Sequence, residues 1–483
     1  MKKLIFYFVL LAISCNKISD DISSEIDSSN YLLINGDTCV VDLTKSATYY
    51  PVSLSTDAIN SVAAQIDSDY SISFNGVSLS NGVSQSFELD NIVANSKLQI
   101  VISNNNSGSS FTSYLSVYPS DIDLGTMTIN NPEAGYYYYT YNNYVTKLDT
   151  EGNLIYYRYA DDPHSFNRTE VNGQVYYSFL EKTDSVDSTT MNIADYTQMK
   201  AVIMDENYQV IDRVNSIIGN GTISDGIALD NHSFTLIDKG HYLISGYVPT
   251  QVYDIPDDVD HADSVNIVEA VVQEIKDGSL IFQWRSSNYT ELYALNSSSS
   301  FTTSNGSYVD YLHCNCATID ETDGNLLLSL NKLNAVVKVD RASGTGDIIW
   351  ILGGSGDMFS LSDVQIFYRQ HDINFTEDGS ITLFNNNYLS GDETIVSEVM
   401  KFNLDENNLK VNSFECYSCP TTAIDEGAAQ ELSATGHYVV SWGRTTSGYD
   451  LFGEVDFVNG TTLFSITKTT FLDNSYKVYK YDK

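Results

Sequence analysis

One short pattern occurs six times in the C-terminal two-thirds of the chain, and it constrains the fold more than any other feature. Each copy has a polar turn with Lys or Asp before it and an apolar stretch that suits a β-strand after it. The copies are "KLDTEGNLIYYRY" from position 147, "IMDENYQVIDRV" from 203, "EIKDGSLIFQW" from 274, "KVDRASGTGDIIWIL" from 338, "FNLDENNLKVNSF" from 402 and "EVDFVNGTTLFSI" from 454. Such self-similarity indicates a repeat architecture.

A second hairpin pattern lies between successive copies of the first. It occurs as "HSFNRTEVNGQVYYSF" from position 164, "HSFTLIDKGHYLISGY" from 232, "HCNCATIDETDGNLLLSL" from 313, "HDINFTEDGSITLFNN" from 371 and "AAQELSATGHYVVSWG" from 428. The segment "GYYYYTYNNY" from position 135 fills the sixth place. Two hairpins in each unit predict four strands, so the whole array predicts six four-stranded sheets.

Four-stranded sheets around one axis form a β-propeller. We therefore predict an all-β fold with a six-bladed β-propeller over residues 130–483, in which the last strand, "SYKVYKYDK", closes the ring against the first blade. A stacked β-solenoid is the alternative, but its repeats are usually shorter and more regular.

The region before the repeats has a different pattern. Residues 31–120 show alternating apolar positions, as in "SISFNGVSLS" and "SKLQIVISNN", broken by Asn, Gly and Ser. Short strands at this spacing predict a small N-terminal β-sandwich ahead of the propeller. The stretch "YPSDIDLGTMTINNPEAG" that follows is interpreted as a connector.

The N-terminus reads "MKKLIFYFVLLAISCNK", with two lysines, ten apolar residues from Leu4 to Ile13 and small residues before Cys15. This pattern predicts a signal peptide over residues 1–15, too short to span a bilayer as a mature helix. The "AISC" ending resembles the lipobox of bacterial lipoproteins, so we expect lipidation of Cys15, with cleavage by ordinary signal peptidase as the alternative. Residues 16–30 are then a linker, and the protein is exported and lipid-anchored in the periplasm or at the outer cell surface.

The charge of the chain restricts its partners. Only 18% of the 483 residues are charged, yet the formal net charge is −38. A surface this acidic repels nucleic acid and anionic lipid, which argues against both as partners and leaves the lipid anchor as the expected contact with a membrane. An anionic substrate would need a local cluster of hydrogen-bond donors that works against the field of the whole protein.

Five cysteines follow Cys15, and an exported protein meets an oxidising compartment where thiols can pair. We predict a disulfide between Cys416 and Cys419 in "CYSC", where it would close a tight loop. Pairing of Cys314 with Cys316 is harder, because alternate residues of a strand share a face but rarely reach disulfide geometry. A zinc site is the alternative, although the CxxC…CxxC spacing of structural zinc sites is absent.

The histidines are the candidate functional residues. Four of the seven open the same hairpin in four successive units: His164, His232, His313 and His371. Equivalent positions of successive propeller blades point toward a common axis, so we expect these imidazoles to converge near one channel mouth. The competing interpretation is that each caps a strand and bonds a neighbouring blade. The other three, which we expect to be solvated, are His241, His261 and His437.

The densest part of the repeat carries a family resemblance. "DYLHCNCATIDETDGNLLLSLNKLNAVVKVDRASGTGDIIWILGG", followed by "FYRQHDINFTEDGSITLFNNN", resembles the bacterial arylsulfate sulfotransferases, periplasmic enzymes that need no nucleotide sulfate donor. The family pattern has D-W-L-H-x-N-S, an S-x-R strand, K-I-D-x-x-T-G-x-I-x-W-x-L-G-G and then Q-H-D. The closing "GAAQELSATGHYVVSWG" is also similar to the last blade of that family, whose fold is a six-bladed propeller behind a small β-sandwich.

The resemblance implies roles for individual residues. His371 corresponds to the nucleophile that takes the sulfuryl group, and His313 and Asn315 correspond to a sulfate-binding pair. His232 takes the place of a further sulfate-contacting histidine. Asn331 stands where the family has an arginine, so a neutral amide replaces a bidentate cation there. His164 and Asp372 are further candidates, the first from its register and the second from the Q-H-D match.

These observations predict an aryl-sulfate sulfotransferase that moves a sulfuryl group from a phenolic sulfate ester to an acceptor phenol through a sulfohistidine. No cofactor and no metal are expected, and no GxxxxGK[ST] loop is present to hold a nucleotide. The alternative is a non-catalytic surface propeller that binds glycan or protein. A metal on the four histidines is a third possibility, disfavoured because the family that the chain resembles uses these histidines on sulfate and because no carboxylate is expected beside each of them.

Overall fold

The computed structural model describes residues 30–482, apart from 42, 44–48, 55–57, 90–97, 120–121, 123, 184–196, 220–226, 297–298, 303–307, 389–394, 421, 446–449 and 468–474. The predicted signal peptide, the acylated Cys15 and all but the last residue of the linker lie outside the described residues. Within the described ranges, no helix has the length and apolar character needed to cross a membrane.

The N-terminal region contains two sheets that share one apolar core. Its strands are β1 Tyr31–Ile34, β2 Asp37–Val40, β3 Tyr49–Leu54, β4 Ile59–Gln65, β5 Tyr70–Phe74, β6 Val77–Leu79, β7 Gln85–Leu89, β8 Leu98–Asn104 and β9 Ser110–Pro119. One sheet has the order β2-β1-β4-β7 and the other β3-β9-β8-β5-β6. Alternate residues of both sheets, such as Leu32, Val62, Phe74 and Ile100, are fully buried in the same cluster, which explains the alternating sequence pattern.

The remaining secondary structure is also almost entirely β. The strands are β10 Thr126–Ile129, β11 Tyr136–Tyr141, β12 Tyr144–Asp149, β13 Leu154–Tyr159, β14 His164–Val171, β15 Gln174–Lys182, β16 Met199–Met204, β17 Val210–Val214, β18 Phe234–Asp238, β19 His241–Val252, β20 Val265–Lys276, β21 Ser279–Arg285, β22 Cys314–Ile319, β23 Leu326–Leu330, β24 Ala335–Val339, β25 Ile348–Gly353, β26 His371–Phe375, β27 Ile381–Asn385, β28 Glu398–Asp405, β29 Lys410–Ser418, β30 Ala423–Asp425, β31 Ala428–Leu432, β32 His437–Ser441, β33 Arg444–Thr445, β34 Asp450–Asp456, β35 Thr461–Thr467 and β36 Val478–Tyr481. A short helix, α1 Glu291–Ala294, and 3₁₀ turns at Ser286–Asn288, Asn331–Leu333 and Asp363–Gln365 interrupt them.

Most of these strands form six antiparallel sheets within the described part of the chain. Their orders are β13-β12-β11-β36 in the first, β14-β15-β16-β17 in the second, β18-β19-β20-β21 in the third, β22-β23-β24-β25 in the fourth, β26-β27-β28-β29 in the fifth and β10-β35-β34-β32-β31 in the sixth. The two repeated patterns correspond to the two hairpins of each sheet, except that in the first sheet the C-terminal strand β36 pairs with β11 in place of a hairpin partner. As predicted, the C-terminal strand β36 pairs with β11, with Tyr479 opposite Tyr138.

The predicted connector is wrong in one respect. Thr126–Ile129 forms β10, which pairs with β35 at the edge of the sixth sheet, with Ile129 opposite Phe464. Met127 and Ile129 pack against the apolar cluster between the first and sixth sheets, so alternating apolar residues within this short stretch were sufficient to form a strand. The sixth sheet therefore begins before residue 130.

Buried apolar clusters lie between neighbouring sheets. Their members include Tyr138 and Phe166 between the first and second sheets, Leu180 and Ile244 between the second and third, Tyr247 and Leu328 between the third and fourth, Trp350 and Leu383 between the fourth and fifth, Phe384 and Val440 between the fifth and sixth, and Tyr139 and Phe452 between the sixth and first. Successive tyrosines of β11 face opposite neighbours, which accounts for an unbroken run of buried aromatic residues in "YYYY".

The predicted disulfide between Cys416 and Cys419 is wrong, because both residues are free thiols. Cys416 lies on β29 and is exposed, whereas Cys419 is buried just after the strand ends. Residues three positions apart in an extended chain point to opposite faces, so their sulfur atoms do not meet. Cys314 and Cys316 are also free and buried.

Candidate active site

The functional side chains lie where the first strand of a sheet begins with an irregularity. The pairing register shifts between Cys314 and Cys316 in the fourth sheet and between His371 and Ile373 in the fifth. Such a bulge leaves one residue outside the ladder and turns the neighbouring side chains away from the regular alternation. The same device occurs after His164 in the second sheet. The histidines of the sequence repeat therefore lie at the ends of the sheets, where loops meet.

Three of the four predicted histidines form one cluster. The ring centroids of His232 and His313 lie 5.0 Å apart, and those of His232 and His371 lie 6.3 Å apart. Their residue numbers span more than a hundred positions, so only the folded array brings them together. His164 does not take part in a ring contact with them among the described residues; its Nε2 lies 3.5 Å from Asp162 Oδ1. The expectation of four converging imidazoles therefore holds for three.

His371 is buried and has a defined tautomer. Its Nε2 accepts a hydrogen bond from the backbone N–H of Glu426 at 3.3 Å, so the proton of the neutral ring belongs on Nδ1. Nδ1 lies 2.7 Å from Asn386 Oδ1 and 3.1 Å from the carbonyl oxygen of Arg369. Both partners are neutral acceptors, and the ring presents the lone pair of Nε2.

The environment of His371 favours the neutral ring. Burial lowers the pKa of His371 well below its ordinary value, and the charges of His232 and His313 lower it further, while the hydrogen bond to Asn386 works in the opposite direction. An unprotonated imidazole can act as a nucleophile at neutral pH once its Nε2 lone pair leaves the hydrogen bond from Glu426 N–H.

The orientation of Asn386 is fixed by its other contacts. Its Nδ2 donates to the carbonyl oxygens of Ala423 at 3.2 Å and Glu426 at 2.9 Å. The amide oxygen must then face His371, because reversing the amide would set an oxygen against two carbonyls. Asn386 was not singled out from the sequence, since it directly follows the second strand of the hairpin and its role depends on residues from the next sheet.

The other two histidines of the cluster are each held by a carboxylate. His232 Nδ1 lies 2.8 Å from Asp230 Oδ2, and His313 Nδ1 lies 2.9 Å from Asp310 Oδ2. In each ring Nε2 is on the side away from the carboxylate. The expectation that no carboxylate accompanies these histidines is therefore wrong for two of them, and the local D-x-H and D-x-x-H spacing was the signal in the sequence.

Asp310 is itself strongly paired. Burial alone would raise the pKa of Asp310, but the hydrogen bonds and charges of His313 and Lys332 outweigh it and hold the pKa well below its usual value. Lys332 Nζ lies 2.7 Å from Asp310 Oδ2. The carboxylate therefore stays ionised and is available to accept the Nδ1–H of His313.

Two predicted asparagines converge on one carbonyl group. Asn315 Nδ2 donates to Gln370 O at 2.8 Å, and Asn331 Nδ2 donates to the same oxygen at 3.2 Å. Asn315 is fully buried, and one of its two N–H groups remains for another acceptor beyond this bond. Asn331 Oδ1 accepts a hydrogen bond from Arg369 Nη1 at 3.3 Å, a residue that the sequence analysis did not select.

Asp372 has a charged partner that is not a histidine. Its Oδ1 lies 2.9 Å from Lys477 Nζ, and both side chains are buried. The neighbouring Tyr476 packs edge-on against His232 and His371, with centroid distances of 5.6 and 5.8 Å. Lys477 and Tyr476 come from the C-terminal segment, so their proximity to the cluster depends on the last strand joining the first sheet.

The three remaining histidines are not solvated as expected. His241 Nε2 lies 2.6 Å from Glu274 Oε1, His437 Nδ1 lies 3.1 Å from Glu133 Oε1, and His261 Nδ1 lies 2.7 Å from the carbonyl oxygen of Val259. Each is half-buried. Their turns and loops pack against neighbouring strands, which the local sequence does not reveal.

A pocket of about 290 Å³ borders this region on the side of Lys332 and Tyr368. Its wall combines apolar side chains, such as Leu333 and Ile366, with polar and charged ones, such as Ser355 and Asp357. Lys332 links the pocket to the cluster, because its Nζ contacts the same carboxylate that holds His313. An aromatic ring of modest size suits a pocket of this volume and lining.

The geometry suits attack on an electrophilic centre that carries anionic oxygens. A neutral imidazole offers a lone pair, and two imidazoles on carboxylates supply donors beside it. Donors fixed in a buried site stabilise negative charge that develops in a transition state.

Comparison with known proteins agrees with this chemistry. The model of the family described as arylsulfotransferase (ASST) matches residues 190–457. The matched range contains the three clustered histidines together with Asn315, Asn331 and Asn386. No curated protein matches the chain significantly.

Solved structures resemble the chain only remotely. A putative 6-phosphogluconolactonase from Bacteroides uniformis is 10% identical with a TM-score of 0.37, and the match covers 86% of this chain and 100% of that one. A second such protein, from Bacteroides fragilis, is 12% identical with a TM-score of 0.33, over 86% and 99% of the two chains. Virginiamycin B lyase from Staphylococcus aureus is 10% identical with a TM-score of 0.32, over 72% and 89%. None of these likenesses bears on function.

Proposed function

The chain belongs to the arylsulfotransferase family, whose model spans more than half of its 483 residues, and from this premise we propose that it transfers a sulfuryl group from an aryl sulfate to a phenol through sulfated His371. The observation that carries the proposal is the buried, neutral His371, whose Nε2 lone pair lies in a cluster with His232 and His313.

In the first half-reaction, the Nε2 lone pair of His371 exchanges its hydrogen bond from Glu426 N–H for an N–S bond, while the bond between sulfur and the aryl oxygen breaks. The aryl group leaves as a phenolate. The proton on Nδ1 stays in place, so the sulfated ring is cationic beside its anionic sulfuryl group. The hydrogen bond to Asn386 Oδ1 at 2.7 Å supports this step, because an amide oxygen stabilises the charge that forms without protonating the resting ring.

In the second half-reaction, the oxygen of an acceptor phenol attacks the same sulfur and the N–S bond breaks. His371 returns to its neutral form. The proton that the acceptor phenol loses balances the proton that the released phenolate takes up, so the two half-reactions together need no further reactant. A nucleophile that holds the group between two substrates predicts ping-pong kinetics.

We propose that His232, His313 and Asn315 stabilise the negative charge that develops on the sulfuryl oxygens. In the imidazolium form, each ring donates Nδ1–H to its carboxylate and still has Nε2–H for a sulfuryl oxygen. Asn315 offers the N–H that its bond to Gln370 does not use. Loss of one such donor typically reduces turnover by about 10²–10³-fold.

We also propose that the six sheets close into a six-bladed propeller behind an N-terminal β-sandwich over residues 31–120. The pairing of β36 with β11 and the apolar cluster shared by Tyr139 and Phe452 support closure between the first and sixth sheets. Antiparallel four-stranded units argue against the β-solenoid. The proposal includes export and a lipid anchor at Cys15. It also places the aryl part of a substrate in the pocket beside Lys332 and Tyr368.

The test is a kinetic one on the protein without residues 1–15. Release of phenol from a chromogenic aryl sulfate should accelerate when an acceptor phenol is added, with parallel double-reciprocal plots when donor and acceptor are varied. His371→Ala should abolish release, whereas His241→Ala, a matched change outside the cluster, should leave it unchanged.

Two outcomes would contradict the proposal. Release that does not respond to acceptor would indicate a sulfatase, or no enzyme if His371→Ala behaves like the parent. Intersecting plots would indicate direct transfer between two bound substrates, without a sulfated histidine.

A further inference from the structure

Two lysines beside the histidine cluster are neutralised by carboxylates. Lys332 Nζ lies 2.7 Å from Asp310 Oδ2, and Lys477 Nζ lies 2.9 Å from Asp372 Oδ1. Each pair has no net charge to offer a bound anion. The chain as a whole carries a formal net charge of −38, so an anionic substrate needs a cation that is not already neutralised.

Arg369 is such a cation. Throughout the described ranges it forms no ion pair, and its guanidinium contacts a neutral group, with Nη1 3.3 Å from Asn331 Oδ1. The side chain is half-buried, which strengthens its interaction with an anion relative to open water. Its backbone is held in the left-handed region at φ 57° by a hydrogen bond from its N–H to Asn334 Oδ1 at 2.9 Å.

The contacts of Arg369 lead directly to the reactive residues. Its carbonyl oxygen lies 3.1 Å from His371 Nδ1. On the other side, Asn331 receives the guanidinium, and the backbone N–H of Asn331 donates to the carbonyl oxygen of His313 at 2.9 Å. Asn331 also shares the carbonyl acceptor of Gln370 with a buried donor of the cluster. Arg369 therefore contacts the nucleophile through its backbone and the residue that bonds His313 through its guanidinium.

We infer that Arg369 binds the sulfuryl oxygens of the substrate and that Asn331 holds the guanidinium in position, an inference that rests on the proposed transfer through His371. A guanidinium matches an oxyanion with two parallel N–H groups, which a lysine does not. The cation expected at position 331 is thus supplied from the strand-entry loop two residues before the nucleophile.

Inorganic sulfate is the probe, measured both as a competitive inhibitor and by calorimetric titration. Arg369→Gln should lower kcat/KM by about 10²–10³-fold and weaken sulfate binding by about tenfold or more. Arg369→Lys should lose less, because it keeps the charge but not the planar fork. Arg213→Gln is the matched control, since it removes an exposed arginine from β17 and should change neither quantity.

A second variant moves the guanidinium. Asn331→Arg in the Arg369→Gln background returns a guanidinium to the same corner of the site, so sulfate affinity and part of the rate should recover. Recovery excludes a structural role for Arg369, because a merely supporting side chain is not replaced by a cation on a different element. It also provides a result if Arg369→Gln alone folds poorly.

The failure of this inference differs from the failure of the proposed function. If the parent protein transfers sulfuryl groups and Arg369→Gln matches Arg213→Gln in rate and sulfate affinity, Arg369 does not bind the substrate. If the parent shows no turnover but its sulfate binding still depends on Arg369, the inference stands and the catalytic proposal falls. Equal sulfate affinity in parent, Arg369→Gln and the double variant overturns the inference whatever the rates.

Discussion

Nδ1 of His371 lies 2.7 Å from Oδ1 of Asn386, so the proposed nucleophile is held by a neutral amide. The two histidines beside it, His232 and His313, are held by the carboxylates of Asp230 and Asp310 instead. The difference in partner separates the roles within one cluster. An amide oxygen leaves the His371 ring neutral, whereas a carboxylate accepts the Nδ1–H of each of the other two rings.

Asn386→Asp should reverse this arrangement for the nucleophile. The pKa of His371 lies well below its ordinary value, so the rate of the parent should be constant through neutral pH and fall only on acidification. A carboxylate at position 386 favours the protonated ring and raises that pKa, so the acid limb of the pH–rate profile should move to higher pH and the rate at neutral pH should fall.

The control is Asn387→Asp, which adds the same charge one residue away, where the native side chain donates to Val396 O near the surface. Its profile should match that of the parent. An Asn386→Asp enzyme with an unshifted acid limb would show that protonation of His371 does not limit the reaction.

Asp310→Asn should weaken the His313 donor without removing it. The amide has no negative charge to hold Nδ1–H of His313, and Lys332 loses its ionic partner as well. We expect kcat to fall by about 10²-fold, with a smaller change in KM, since the donor acts on charge that develops in the transition state. The matched control is Asp340→Asn, in the turn that follows β24. It should change neither kcat nor KM. A change confined to KM would place His313 in ground-state binding alone.

Much of the fold was available from the sequence because it is repeated. The six "turn and strand" patterns mark the hairpins β12–β13, β16–β17, β20–β21, β24–β25, β28–β29 and β34–β35. The alternation of β-strand residues is local and survives in a short window. What the repeat could not indicate is the strand Thr126–Ile129, which has no counterpart among the copies and is defined by its partner β35, more than 300 residues later.

The site was predictable to a similar depth. The shared register identified His232, His313 and His371, but it also selected His164, whose ring lies near Asp162 instead. Asn386 and Tyr476 depend on contacts between sheets that are distant in the sequence. Arg369 lies only two residues from His371, yet the direction of its side chain follows from a left-handed backbone conformation that a sequence pattern does not specify.

The buried pair of Asp372 and Lys477 should contribute to stability more than to chemistry. Lys477→Met leaves a buried carboxylate unpaired and should lower the free energy of unfolding by about 3–5 kcal/mol, measured by urea denaturation. Adding Asp372→Asn should recover much of that loss, because it removes the unpaired charge and Asn tolerates the positive φ of this position. The exposed pair of Arg444 and Asp425 is the control: Arg444→Met should cost less than about 1 kcal/mol. Equal costs for the two single variants would contradict the burial of the pair.

The cysteines should behave as free thiols. Reducing agent should leave the mobility and thermal stability of the protein unchanged, since Cys416 and Cys419 do not pair. Alkylation of the native protein should modify Cys416 first and slowly, because burial and the nearby Glu398 raise its pKa to about 12. Cys419 should react only after unfolding, as a buried thiol. If both residues resist alkylation until reductant is added, they form a disulfide and the account of free thiols is wrong.

The most direct test of the central claim is to look for the sulfuryl group on the protein. The protein is incubated with an aryl sulfate without acceptor, quenched, digested and analysed by mass spectrometry. The account predicts one added sulfuryl group on the peptide that contains His371, lost when an acceptor phenol is added and absent from His371→Ala. Turnover by the parent with no adduct on that peptide, or an adduct that persists in His371→Ala, would contradict it.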